Sequence, residues 1–177
     1  MTTLTASTTA YAIDADHSAL GFSVRHMGIS TFRGTLSGVR GSLRDGVLEG
    51  CAPVESISVH TPAALRQHLL SDEFFAAASH PEVSFASDSV SLADDGAAEV
   101  RGRLTIRNVS REIVASGHWQ APVEDPYGDV RAALELTAVI DRRDYGMTWQ
   151  MPLPRGGDAL GNEVTLSVQL ELIAEQA

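Results

Sequence analysis

Apolar and polar residues alternate with period two along most of the chain. From Val164 to Leu172, Val164, Leu166, Val168, Leu170 and Leu172 interleave with Thr165, Ser167, Gln169 and Glu171. Successive side chains of a strand point to opposite faces, so this run predicts one apolar and one polar face. The pattern recurs at Leu20, Phe22 and Val24, at Val100–Ile106, at Ile113–Trp119 and at Leu134–Ile140. Weaker runs lie at 32–36, 41–43, 48–54, 57–59 and 83–90. Between them stand Asp45-Gly46, Asp94-Asp95-Gly96, Asp125-Pro126-Tyr127-Gly128 and Arg155-Gly156-Gly157-Asp158, residues suited to turns. One stretch departs from this pattern. Ala63–Leu70 reads as a helix with Thr61 as N-cap and Pro62 in its first turn, followed by a short turn at 72–78 that carries Phe74 and Phe75.

Eight to ten strands and one helical excursion predict an all-β fold, a single antiparallel sheet or barrel. A sheet this wide must curl, split or close, and eight closed strands leave room for side chains or one small ligand. The interior would be Leu, Val, Ile, Ala and Phe. Periodicity alone leaves open whether its own side chains or a lipophilic guest fills it.

Composition narrows the partners. The chain has 177 residues, enough for one domain, and 13 basic against 23 acidic residues give a net charge of −10, with every cation an arginine. Such a chain repels phosphate backbones, which argues against nucleic acid. The acidic excess grows along the chain, −1 over residues 1–60, −3 over 61–120 and −6 over 121–177. The first eighteen residues have neither a basic nor an apolar segment of a secretory signal, and no apolar run approaches a membrane span. The expectation is a cytoplasmic protein with a flexible tail over 1–10 and one domain over 11–174.

Candidate chemistry is sparse. Six histidines are scattered without metal-ligand spacing, and there is no nucleophile elbow, dinucleotide fingerprint or phosphate-binding loop, so neither metal nor cofactor is implied. Cys51 sits inside a strand and reads as an inert thiol. His17 and His26 flank the stripe of Leu20, Phe22 and Val24, where they could meet a polar headgroup at a barrel mouth. Arg142, two residues beyond the strand ending at Ile140, offers either a turn ion pair or a fork for an acidic headgroup.

Several strings together resemble the YceI-like, lipocalin-like polyisoprenoid-binding family. They are Tyr11-Ala12-Ile13-Asp14 with His17-Ser18, Gly21–Met27, His68–Phe75, His80–Phe85, Gly102–Arg107, Arg142–Trp149 and the last strand. They occur in the family's order and span nearly the whole chain. The resemblance implies a single extended antiparallel barrel whose apolar pore holds an isoprenoid or similar long amphiphile. The alternating apolar stripes would then form the pore wall: Leu20, Phe22, Val24, Leu104, Ile106, Leu134, Leu136, Ile140, Val168 and Leu170. The polar mouth falls to His17, His26, Arg66, Arg142 and Asp144. Two departures stand at either end of the helix. His60 precedes it where the family has an acid, and Leu65-Arg66 replaces an Arg-Asp pair, which suggests a mouth suited to an anionic head.

Three readings follow. The first is a non-catalytic carrier or sequestering protein. The second is an enzyme that cyclises or isomerises a lipophilic substrate by shape and orientation. The third is a self-filled barrel acting through protein contacts. A homodimer is compatible with leftover apolar surface.

Overall fold

The computed structural model describes residues 9–175, so the expected tail over 1–10 falls, except for its last two residues, outside the described residues. Among the described residues ten strands are formed: β1 (Tyr11–Ile13), β2 (Ala19–His26), β3 (Ser30–Leu36), β4 (Arg40–Arg44), β5 (Val47–Pro53), β6 (Glu82–Leu92), β7 (Ala97–Ile106), β8 (Val109–Glu124), β9 (Val130–Asp141) and β10 (Leu160–Ala174). One helix, α1 (Ala63–Leu70), interrupts them.

All pairings between strands are antiparallel, and their order β1-β4-β5-β6-β7-β8-β9-β10 closes on itself because β1 also pairs with β10. β2 and β3 form a hairpin joined to the ring along the other half of β10, from Leu160 to Gln169. β1 and β2 are therefore two halves of one stave, broken by the 3-10 turn Ala15–His17, and β3 and β4 are two halves of the next. The result is an eight-staved lipocalin-like barrel.

Alternation fixes which face turns inward. Along β9, Ala132, Leu134, Leu136, Ala138 and Ile140 are buried, while Glu135, Thr137 and Val139 are exposed. The Asp45-Gly46 turn joins β4 to β5 with both residues at positive φ (50° and 75°), a conformation that matches strand twist and that glycine adopts without penalty. The run at 57–59 is not a strand. After the 3-10 turn Val54–Ser56 it forms a strap against β3, in which Ser58 N–H donates to the Thr35 carbonyl (2.9 Å) and Thr35 N–H to Ser58 Oγ (3.0 Å). The strap covers the edge that β3 would otherwise leave unpaired. The helix spans the expected Ala63–Leu70, but its cap lies one residue later than expected. Pro62, extended at ψ 152°, occupies the cap position without a side-chain capping bond, so Thr61 is not the cap.

The two ends of the barrel differ. At one end a single guanidinium, Arg131, ties three carboxylates. It reaches Asp14 (2.8 Å), Asp125 (2.7 Å) and Glu171 (2.7 Å), holding the 3-10 turn, the β8–β9 turn and β10 together. Tyr11 and Trp119 meet edge to face above Leu134 and Leu172, both fully buried, and plug this end. Its turns carry most of the acidic excess, including Asp45, Asp94, Asp95, Glu124 and Asp129. The other end is capped by α1 and the loop between β9 and β10. Among the described residues, no helix is long and apolar enough to cross a membrane.

Candidate functional site: a two-compartment apolar interior

Under α1 the barrel encloses a cavity of about 400 Å³. The inward stripes of the paired strands build its wall: Leu20, Phe22 and Val24 from β2, Leu104 and Ile106 from β7, Ile140 from β9, and Val164 and Leu166 from β10. The roof comes from segments without strand periodicity: Leu65, His68 and Leu69 of α1, Phe74 and Phe75 just beyond it, and Met147 and Trp149. His68, Phe74 and Trp149 pack ring against ring, with centroids 4.9 to 5.6 Å apart, and His68 Nε2 lies 2.7 Å from Glu73 Oε2. Phe22 leans on both Phe32 and Phe75.

A second compartment of about 90 Å³ continues toward the plugged end, lined by Leu48, Val100, Ala115, Leu136, Val168 and Leu170 among others. Leu20, Val83, Leu104 and Leu166 border both spaces and form the narrow partition, or neck, where the two meet. Together the two spaces have the size and apolar character of a small-molecule site, whose volume is roughly 300–1,000 Å³.

The expected wall is thus brought together, six of its residues around the larger space and Leu136, Val168 and Leu170 around the smaller, with Leu20 and Leu104 shared. Leu134 lines neither. It belongs to the solid plug beyond them, fully buried.

The expected mouth divides. His26 and Arg142 line the larger cavity, and the exposure of His26 and Ser30 places its opening beside the β2–β3 turn. Arg142 is 3% exposed, and its guanidinium donates to the carbonyls of Gly161 (2.8 Å), Met147 (2.7 Å) and Trp149 (2.8 Å) and to Asn162 Oδ1 (3.1 Å). Burial holds its pKa below the ordinary arginine value. It clamps the loop that carries Met147 and Trp149, and it leaves one buried positive charge, without a carboxylate bonded to it, at the cavity wall.

His17, Arg66 and Asp144 line neither space. His17 sits at the break in the first stave, near the plugged end, with Nδ1 2.8 Å from Asp14 Oδ2, which raises its pKa. Arg66 turns onto the strap and donates to the carbonyls of Glu55, Ile57 and Val59. Asp144 is exposed beside Tyr145, whose hydroxyl is buried without a hydrogen-bond partner among the described residues and whose pKa burial pushes up to about 12.

Asp14, His17 and Glu171 lie close enough to share a cation, but Arg131 already supplies the positive charge there, and its hydrogen bond holds Asp14 down at about 2. Cys51 is a half-buried thiol whose pKa burial raises, the reverse of an activated nucleophile. Among the lining residues not expected from the sequence, Val164 and Leu166 belong to the alternating last strand, whereas His68, Phe74, Phe75 and Trp149 come from segments without that period. The signals for these four were their place in strings shared with the family and, for Phe74 and Phe75, two adjacent aromatics just beyond the helix.

Comparison with known proteins agrees with this geometry. The YceI-like domain model matches residues 11–172. A UPF0312 protein of Staphylococcus aureus is 27% identical over 170 residues, covering 92% of this chain and 96% of its own, and one of Ectopseudomonas mendocina is 27% identical over 146 residues, covering 78% and 76%. Among solved structures, a polyisoprenoid binding domain from Saccharophagus degradans implicated in plant cell wall breakdown superposes with a TM-score of 0.71 at 16% identity, covering 93% of this chain and 98% of its own. BcnA of Burkholderia cenocepacia superposes at 0.70 with 14% identity, over 90% and 98%.

Proposed function

The chain belongs to the YceI-like family, and on that premise we propose that it binds one isoprenoid or similar long apolar amphiphile inside the barrel, as a carrier or sequestering protein. The observation that carries this reading is the pair of adjoining apolar spaces, about 400 and 90 Å³, the larger opening beside His26. The name of the Saccharophagus degradans neighbour, a polyisoprenoid binding domain, supports the same class of ligand.

Each methylene moved from water into such a wall contributes about 0.8 kcal/mol, so four or five isoprene units provide ample driving force without directional polar contacts. The tail lies against Leu20, Val24, Leu104, Ile106 and Ile140 and ends at or beyond the neck. The head stays at the opening, near His26, Ser30 and Thr31, with the Arg142 charge favouring a carbonyl, hydroxyl or anionic head over a cationic one.

Native mass spectrometry of the protein mixed with farnesol, geranylgeraniol or their diphosphates tests the reading. A single stoichiometric adduct, recoverable unchanged by organic extraction, is the expected result. A spectrum that stays at the unliganded mass with every one of these compounds would overturn it.

A further inference from the structure

The rim of the opening differs from the rest of the surface. Met27 and Ile29, in the β2–β3 turn, are 40% and 77% exposed, and Met151, on the loop before β10, is 57% exposed. The two segments are stitched side by side. Met27 N–H donates to the Ala159 carbonyl (2.7 Å), and Ala159 N–H donates to that of Met151 (2.9 Å). Three large, exposed apolar side chains are thus carried on two adjoining segments, beside His26 and Ser30 at the cavity mouth.

Charge around this patch runs against that of the whole molecule. The β2–β3 hairpin carries two arginines, Arg25 and Arg33, and no acid, whereas Arg40 and Arg44 on β4 are paired with Glu82 and Glu175. Arg25 and Arg33 lie on the outer face of the β2–β3 hairpin, and Arg25 is pinned to the turn by bonds to Gly28 O (2.7 Å) and Thr31 Oγ1 (3.2 Å). Arg155 stands at the tip of the neighbouring loop, where Pro152 and Asp158 form a bridge. The acids at this end are Glu73, bonded to His68, Asp141, paired with Arg143, and Asp144, Asp158 and Glu163. The acidic turns at the plugged end lie a full barrel length away, so an anionic surface would repel that end and face the mouth.

We infer that the β2–β3 turn and the loop around Met151 dock the open end of the barrel on an anionic lipid bilayer, with Met27, Ile29 and Met151 entering the headgroup region and Arg25, Arg33 and Arg155 meeting lipid phosphates. An exposed apolar tip flanked by arginines is the usual composition of an interfacial anchor. A cation near such a surface is worth roughly a fivefold change in partition. Docking there would let an apolar tail pass between bilayer and cavity without crossing water. The inference rests on the proposed function for its purpose, but its test does not.

Unliganded protein is sedimented with vesicles of phosphatidylcholine alone and of phosphatidylcholine with 30% phosphatidylglycerol. Binding to the anionic vesicles at least tenfold stronger than to the neutral ones, and weakened by 0.5 M NaCl, is expected. Ile29→Asp with Met151→Asp should reduce it at least tenfold, and Arg25→Gln with Arg155→Gln about as much. Val123→Asp, an equally exposed position toward the plugged end, should leave it unchanged. Each variant is titrated with farnesol in vesicle-free solution, where unchanged uptake shows that fold and cavity are intact. No preference for anionic vesicles, or attachment indifferent to the tip substitutions, would overturn the docking. Attachment without farnesol uptake by the parent protein would overturn the cavity reading instead. A partner protein that occupies the tip and leaves vesicles unbound would also overturn the docking.

Discussion

Two buried or half-buried arginines organise the ends of this barrel, in opposite ways. Arg131 is surrounded by three carboxylates and Arg142 by carbonyl oxygens. Removing Arg131 leaves Asp14, Asp125 and Glu171 facing one another, so Arg131→Met should lower the urea unfolding midpoint at pH 7. The same site sets an acid limit. The folded-state pKa of Asp14, near 2, lies below its ordinary 3.8. Its contribution is therefore fully present above about pH 4 and is lost as pH falls toward 2. Between pH 5 and pH 2.5 the parent should lose about 1–2 kcal/mol more than Arg131→Met does, as measured by urea midpoints across that range. Arg142→Met should cost about 3 kcal/mol by stranding the Met147, Trp149 and Gly161 carbonyls. Lysine, without the planar fork, should recover only part of that.

The elements explain what the chain pattern could and could not convey. Period two leaves a strand only two faces, so once one inward residue is known its whole stripe is known. That is why Leu20, Phe22, Val24, Leu104, Ile106 and Ile140 fall around one cavity. The same reasoning has no access to segments without a period. His68, Phe74, Phe75 and Trp149 reach the wall from a helix, a turn and a loop, positioned by contacts far apart in sequence. Nor does a strand's length in sequence reveal where it breaks. His17 and His26 flank the same stripe, yet eight residues of β2 at roughly 3.3 Å each put them at opposite ends of that strand. Arg66 and Asp144 were equally unplaceable, because nothing local says whether a helix or turn residue faces inward.

Packing between neighbouring staves yields two further expectations. A Cβ on Gly34 would lie 2.4 Å from Phe22 Cζ, so that glycine exists to seat the Phe22 ring. Gly34→Ala should push the ring into the larger cavity and weaken a prenyl ligand about tenfold, at a cost in stability of about 1–2 kcal/mol. This is checked by a binding titration beside a urea melt. At the neck, Leu104→Ala should destabilise by about 2–4 kcal/mol, yet shift preference from fifteen-carbon toward twenty-carbon chains by joining the two spaces. Affinities measured across a chain-length series report that shift.

At the scale of the whole molecule, the barrel is a tube with one plugged, acidic end and one open, apolar and arginine-flanked end. Closure spares it exposed strand edges, and the strap over β3 covers the place where the ring of strands is incomplete. The net charge of −10 describes the molecule as a whole, but its distribution could not be read from the running sum along the chain. The topology sends the acid-rich turns to one end and the acid-free β2–β3 hairpin to the other. Family membership was legible because its strings are spread over both wall and roof. The occupant was not, since an apolar wall accepts many tails.

Fluorescence offers the most direct test of that occupancy. Trp149 lines the larger cavity and Trp119 packs in the plug, and these are the only two tryptophans. In a Trp119→Phe protein, titration with geranylgeraniol should change Trp149 emission saturably at one ligand per chain, and Leu104→Ala should alter the dissociation constant. Emission indifferent to every prenyl chain added, or a change that never saturates, would contradict a binding cavity inside the barrel.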